Sequence, residues 1–261
     1  MQEPSAFDLK GRVAVITGAG QGVGRAIALI LARHGAGGIV VNDFFADRAE
    51  AVAQEVRAIG VRAFAMVGDV TQIDQIREGH AEAEAALGPV SILVNNAGNA
   101  GPAGFPHDLP PFWETDPARW RRFADVNLFG VMNCCHVALP GMVERRYGRV
   151  VTIISDSARM LDARTADYAA AKAGAAGFMR GLAADAARYG VTCNNIAIAT
   201  MRTIIGDADS EASKRQLSRY AIRRYGTPDD VAGTALLLCS DAASWITGQT
   251  YPVDGGYSCS L

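Results

Sequence analysis

RVAVITGAGQGVGRAIALILARHG, Arg12 to Gly35, packs a strand, a turn and a helix into one short run. Its first part is a stretch of small and β-branched apolar residues without polar alternation, as a strand covered on both faces requires. From Val23 the apolar residues recur at helical spacing, and the pattern ends at Gly35. Between them lies TGAGQGVG, Thr17 to Gly24. Glycines in such a turn let backbone N–H groups approach a pyrophosphate at the positive end of the helix dipole. The strict GxGxxG spacing fails, because Val23 stands where a third glycine belongs; GxxxGxG, through Gly18, Gly22 and Gly24, fits instead. By itself the loop leaves nucleotide binding and tight packing both open.

Outward from this unit the rhythm repeats. GIVVND (Gly38 to Asp43) reads as a second strand, and strand and helix patterns alternate through RAEAVAQEVRAIG, RAFAMVGDV, IDQIREGHAEAEAALG and SILVNNAG. A long helix ending near Arg146 and the strand GRVVTIIS follow. This β-α-β-α order implies an α/β fold: a single-domain, Rossmann-like, doubly wound parallel sheet with helices on both faces, spanning residues 1–261. Ligands of such sheets lie at the carboxyl ends of the strands. Asp43 ends the second strand, where a carboxylate accepts hydrogen bonds from adenosine ribose hydroxyls and repels a 2′-phosphate, selecting NAD over NADP. Arg48 lies a turn into the next helix, which starts nearer Asp47, so Asp43 is not read as its N-cap.

Composition narrows the class. Apolar residues make up 49% of the 261 and charged ones 20%, with a net charge of -2, so no global field points to nucleic acid. The opening MQEPSAFDLKGRVAVITG has no secretory or transit pattern, and no apolar run approaches bilayer-spanning length; a cytoplasmic protein without membrane contact is expected. Cys134, Cys135, Cys193, Cys239 and Cys259 show no CxxC spacing and read as small, reduced core residues, with no metal site expected.

YAAAK puts Tyr168 and Lys172 at i and i+4, on one side of a helix. With TGAGQGVG, NNAG (Asn95 to Gly98) and TGQTYPVDGG (Thr247 to Gly256), it makes the chain resemble the short-chain dehydrogenase/reductase family along nearly its whole length. The resemblance implies a catalytic set of Asn127 in DVNLFG, Ser155 in VTIISDSAR, Tyr168 and Lys172; Ser155 lies thirteen residues before Tyr168, and Ser157 falls two positions too late. It implies cofactor contacts from Gly18, Gln21, Gly22, Val23 and Gly24, from Asp43, Asp69 and Val70, from Asn95, Ala97 and Gly98, and from Met201 and Thr203, with Tyr168 and Lys172 at the nicotinamide ribose. Free tyrosine, with a pKa of about 10, is a poor base at neutral pH, and a nearby ammonium stabilises its phenolate. The implied activity is NAD-dependent hydride transfer between a secondary alcohol and a ketone. Tyr168 exchanges the proton, Ser155 holds the reacting oxygen and Asn127 positions a relay water. The family's usual assembly is a homotetramer, and the small-residue face AAAKAGAAG would allow close helix packing.

The chain departs from that family after the sixth strand, where Ile198 and Ala199 replace the usual Pro-Gly although Thr203 stays in register. Substrate signals are thinner. From Thr200 to Gly226, read as a substrate lid, Arg202, Lys214, Arg215, Arg219, Arg223 and Arg224 outnumber Asp207, Asp209 and Glu211, which suits a CoA thioester or a solvated lid helix equally. The run Leu139 to Arg159 resembles the branch acting on alicyclic or β-hydroxyacyl-CoA alcohols. Arg159 is a candidate contact for an anionic group, and PPFW (Pro110 to Trp113), within the insert Asn99 to Pro117, offers an aromatic wall. The competing readings are an NADPH-dependent carbonyl reductase and a non-catalytic NAD-binding protein.

Overall fold

The computed structural model describes residues 5–98, 110–161, 163–204 and 210–258. Seven parallel strands form one sheet in the order β3-β2-β1-β4-β5-β6-β7. They are β1 (Val13–Ile16), β2 (Gly38–Asp43), β3 (Ala63–Val67), β4 (Val90–Asn95), β5 (Gly148–Ser155), β6 (Val191–Ile198) and β7 (Thr250–Val253). The helices are α1 (Gly22–Arg33), α2 (Ala46–Ala58), α3 (Ile73–Leu87), α4 (Pro117–Ala124), α5 (Gly130–Glu144), α6 (Ala166–Ala186), α7 (Glu211–Leu217) and α8 (Pro228–Cys239). Successive strand residues point to opposite faces. In β1, Ala14 and Ile16 join a core with Ile27 and Leu31 of α1 and Val231 and Ala235 of α8. Val13 and Val15 join the other core, with Met142 of α5 and Met179 of α6. Central strands buried on both faces explain why the sequence shows continuous apolar runs there rather than alternation.

The strand order reverses between β1 and β4, and this places a crevice above their carboxyl ends. The long helix expected to end near Arg146 is composite. α4 and α5 are joined without a break by a π-helical turn, Asp125–Phe129. At 28 residues, Pro117–Glu144 is long and apolar enough to cross a membrane by length and composition, contrary to the expectation from the sequence. Its Cys135, Ala138 and Met142 are buried in the core beside β4 and β5. Cys134, Cys135, Cys193 and Cys239 are free and buried, as read from their apolar context. Cys259, Asp207, Asp209 and most of the insert Asn99 to Pro117 lie outside the described residues.

Candidate active site

Three chain segments converge at the crevice. Gly18 and Gly22 adopt φ of +58° and +56°, and a Cβ on Gly18 would stand 2.8 Å from Ala97 Cα, so the loop after β1 lies directly on the segment after β4. Helix α1 then starts at Gly22, with Gln21 as an N-cap that makes no side-chain cap bond, and its first turn holds no acidic residue. Its positive end and unfilled N–H groups, with Val23 packed on the core below, suit a pyrophosphate. Asp43 is buried at the end of β2; its Oδ2 accepts from Gly20 N (3.0 Å) and its Oδ1 from Phe45 N (3.0 Å). Phe45, not Asp43, caps α2. Asp69 Oδ1 accepts from Thr71 N (2.9 Å), while Val70 is buried under Gly130.

Within NNAG the two asparagine side chains hold different partners. Asn95 is buried, donating to Thr152 Oγ1 (3.2 Å) on β5 and Cys135 Sγ (3.4 Å) on α5. Asn96 is the brace: its Nδ2 donates to Thr17 O and Gly18 O, both at 2.9 Å, while Thr17 Oγ1 accepts from Asn96 N and Ala97 N. No spacing in the sequence separates these two neighbours, since only the handedness of the strand end decides which one faces the loop.

The four expected catalytic residues come from three elements. Ser155 closes β5, and its hydroxyl accepts from Ser157 N (3.2 Å), so Ser157 supplies backbone support. Tyr168 and Lys172 lie one turn apart in α6. Asn127 sits in the π-helical turn, where its Nδ2 donates to Phe123 O (3.0 Å). Extra residues in such turns re-aim side chains at functional sites. Lys172 is buried, and its Nζ donates to Ile153 O (2.9 Å) on β5. A Cβ on Gly98 would lie 3.2 Å from Lys172 Nζ and 3.3 Å from Asn127 Oδ1, so β4, the π-helical turn and α6 meet at that glycine. Burial pushes the Lys172 ammonium down to about 8, which still leaves it charged at neutral pH.

Directly after Ser155, Asp156 is 2% exposed. Burial and the neighbouring Asp254 carboxylate push its carboxyl up to about 6. Against its own burial, Asp254 is held below the usual range by the Ser258 hydroxyl (2.6 Å) and the N–H groups of Ser258 and Gly256. Arg159 Nη1 lies 3.7 Å from Asp156 Oδ1, so the cation expected for an anionic ligand has a partner inside the chain.

The segment after β6 turns without Pro-Gly. Among the described residues other than glycine, only Lys10, Arg146 and Arg164 have positive φ, so Ala199 needs no left-handed backbone, and Ile198 packs on the core. Side chains do the shaping: Thr200 N donates to Tyr220 Oη (3.2 Å), Thr200 Oγ1 accepts from Gln216 Nε2 (2.9 Å), and buried Met201 bridges to Gly226. Thr203 shares with Gly22, Arg25 and Pro228 a cleft of about 480 Å³, which brings it beside the loop end of α1. Half of the six basic residues in this segment have partners inside the chain. Lys214 pairs with Glu211 (2.8 Å), Arg224 with Asp230 (2.6 Å), and Arg219 stacks on Tyr257.

Two further residues stand beside Asp43, and only Phe44 is new to the reading. Arg48 packs its Cβ where a Gly20 Cβ would be, 2.5 Å away, so it stands at the loop although it is a turn into α2. Phe44, next to Asp43, is 48% exposed. Phe44 was signalled only by its adjacency to the strand end, whereas Arg48, placed a turn into the next helix by the sequence, comes back onto the glycine loop.

Comparison with known proteins agrees with this geometry. Residues 18–258 match the sequence model of the family described as enoyl-(acyl carrier protein) reductase. The 7alpha-hydroxysteroid dehydrogenase of Escherichia coli K12 is 37% identical over 250 residues, covering 95% of this chain and 94% of that one. A 7 alpha-hydroxysteroid dehydrogenase solved with NADH and 7-oxo glycochenodeoxycholic acid superposes with a TM-score of 0.89 at 35% identity, covering 98% of each chain. A gluconate 5-dehydrogenase from Burkholderia cenocepacia, in complex with NADP and tartrate, gives 0.89 at 34%, again over 98% of each.

Proposed function

The chain belongs to the short-chain dehydrogenase/reductase superfamily, an oxidoreductase that interconverts secondary alcohols and ketones, and from that premise we propose an NAD(H)-dependent enzyme acting on a secondary alcohol of an apolar, alicyclic skeleton. One observation carries the reading: Tyr168 stands one turn from a buried, charged Lys172 whose Nζ lies beside Gly98 and Asn127, under the strand that ends in Ser155. The loop at Gly18 to Gly24, the open first turn of α1 and Asp43 fit a nicotinamide dinucleotide, which supplies the hydride chemistry when bound. Tyr168 takes or gives the hydroxyl proton, Lys172 stabilises its phenolate, and Ser155 hydrogen-bonds the reacting oxygen.

Substrate and cofactor rest on the residues around this centre. Leu161, between Ser155 and Tyr168, is 96% exposed and Ile204 is exposed after β6, while Arg159, Lys214 and Arg224 are paired. That balance favours an apolar skeleton over the phosphates of a CoA thioester, which remains the second substrate reading through Arg202, Arg215 and Arg223. Asp43 favours NAD; Arg48 beside Gly20 is the one observation that favours NADP. We also read residues 1–261 as one catalytic domain in a cytoplasmic homotetramer joined through α5 and α6, where Leu139, Val143, Leu182 and Tyr189 line a groove together with Asp185 and Arg188.

Initial rates with NADH and NADPH on a 7-oxo bile acid, and on acetoacetyl-CoA, test these assignments. The expected result is preference for NADH and the bile acid, and a loss of at least about 10²-fold in kcat in Tyr168→Phe with NADH affinity retained. Asp43→Ala shifts the preference toward NADPH, since Arg48 is then unopposed. NADPH preference in the wild type overturns the cofactor reading, and turnover of the thioester alone overturns the substrate reading.

A further inference from the structure

Arg119 and Asp167, distant in sequence and absent from the catalytic set, form a buried ion pair at the entrance of α6. Their side chains are 10% and 3% exposed, with Arg119 Nε 2.9 Å from Asp167 Oδ2 and Arg119 Nη2 donating to Asp167 Oδ1 at 3.1 Å. Each partner also holds something nearer the chemistry. Asp167 Oδ1 accepts from the N–H of Tyr168 (3.0 Å), and its charge lies in the first turn of α6, where the helix dipole favours an anion. Arg119 Nη2 reaches Arg164 O (3.3 Å), and Arg164 has a φ of +66°, a left-handed backbone that a non-glycine residue keeps only where its surroundings impose it.

The same pair bears on a second catalytic residue. Arg119 lies over the ring of Phe123 (5.5 Å), fully buried, and that ring meets the Tyr168 ring edge-on (5.6 Å). Phe123 O takes the Asn127 amide. A continuous line of contacts therefore runs from Arg119 through Asp167 to Tyr168 and through Phe123 to Asn127.

We propose that Arg119 and Asp167 are positioning residues for proton transfer: together they fix the backbone and ring of Tyr168 against the π-helical turn that carries Asn127. This rests on the reading of Tyr168 as the proton-transferring group. A buried pair of this kind need not add net stability, because desolvation offsets the attraction, so its conformational role is the sharper one to test. The elements packed against α6 carry further charges: Arg119, Arg121 and Arg122 on α4, Asp125 in the π-helical turn, and Asp156, Arg159 and Arg164 in the segment joining β5 to α6, beside Asp167 and Lys172 of α6 itself.

The experiment is an ultraviolet difference titration of the Tyr168 phenol, wild type against Tyr168→Phe, repeated in each variant background and needing no substrate. In Arg119→Met the uncompensated Asp167 carboxylate raises the phenol pKa by about one unit, and turnover of a 7-oxo bile acid with NADH falls roughly 10- to 100-fold while NADH affinity holds. In Arg119→Met/Asp167→Asn the pKa returns but turnover stays low. Should Arg119→Met fail to fold, Asp167→Asn, which keeps the acceptor for Tyr168 N, lowers the pKa instead. An unmoved pKa with unchanged turnover per folded molecule overturns the inference. A wild type that turns over no ketone while the titration shifts as stated overturns the dehydrogenase reading and leaves the positioning pair standing.

Discussion

At the scale of single residues, the charges around Ser155 and Tyr168 are tuned by burial more than by pairing. Lys172 is down at about 8 through desolvation, so its ammonium stays charged at neutral pH, and in the proposed mechanism it acts on the phenol with little screening. Asp156 goes the other way, to about 6, and the sign of its effect follows. A carboxyl raised above its unfolded value of about 3.9 contributes stability below that value and loses it as pH rises through 6. Asp254, held low, contributes above the unfolded value and loses it only in acid. Asp156→Asn removes the charge that is out of place at alkaline pH. It should raise stability at pH 8 by about 1 kcal/mol, discounted for Arg159 and for partial solvent screening, or roughly 2–4 °C in Tm, with no gain at pH 4. Melts at the two pH values check this, and equal gains at both would remove the argument. Tyr168 and Lys172 were legible because their spacing is local. Arg119 and Asp167 were not, because 48 positions separate them and only the packing of α4 on α6 joins them.

Among the elements, α1 carries the tightest constraint. A Cβ on Gly24 would meet Asn96 Nδ2 at 2.5 Å and Gly18 O at 2.6 Å, so this helix can approach β1 and β4 only because the residue has no side chain. Gly24→Ala gains about 1 kcal/mol of helix propensity but loses about 1–3 kcal/mol to overpacking, so its net effect on stability runs from none to a loss of about 2 kcal/mol. Its effect on the loop is large: pushing Asn96 away costs the bonds to Thr17 O and Gly18 O, and NADH affinity falls roughly tenfold, about 1.4 kcal/mol. Gly181 of α6 is the contrast, with nothing within 4 Å of its Cβ position. Gly181→Ala stabilises by about 0.5–1 kcal/mol and leaves NADH binding unchanged. Fluorescence titration beside thermal melts separates the two, and undiminished binding by Gly24→Ala would show that the loop yields. The strands were readable to the residue where apolar runs were bounded by turn signals, as in Gly38–Asp43. The π-helical turn was not, because Asp125–Phe129 inserts its extra residue into a pattern that still reads as one helix. The turn at Ile198 and Ala199 was not either, since Tyr220, Gln216 and Gly226 shape it from far along the chain.

For the molecule as a whole, the candidate site occupies the carboxyl ends of the strands, and the opposite end is closed by charge. Asp241, in the turn after α8, receives Lys10 Nζ (2.7 Å), Arg12 Nη2 (3.1 Å), Arg149 Nη2 (3.2 Å) and Tyr147 Oη (3.0 Å). One carboxylate thus ties the segment before β1, the start of β5 and the end of α8. Arg12 and Arg149 also lie over the Tyr147 ring at 3.9 and 4.3 Å, and Arg149 is 4% exposed. Burial alone would raise the Asp241 carboxyl, yet the bonds from Lys10, Arg12 and Tyr147 hold it at about 2. A depressed carboxyl contributes stability above its unfolded value of about 3.9 and loses it as pH falls through the folded one. Asp241→Asn leaves Arg149 buried without its anion. Because Asp241 is itself 29% exposed, the cost is about 2 kcal/mol rather than the larger figure for a fully buried pair, or roughly 4–8 °C in Tm. That difference from the wild type should hold from pH 8 to about 5, narrow below about pH 4 and nearly close toward pH 2, while kcat of the folded enzyme stays unchanged because no catalytic residue touches the cluster. Denaturant melts across that range, with turnover at neutral pH, decide it: a cost that persists at pH 2 would mean that the clamp works through packing around Tyr147 and not through the Asp241 charge.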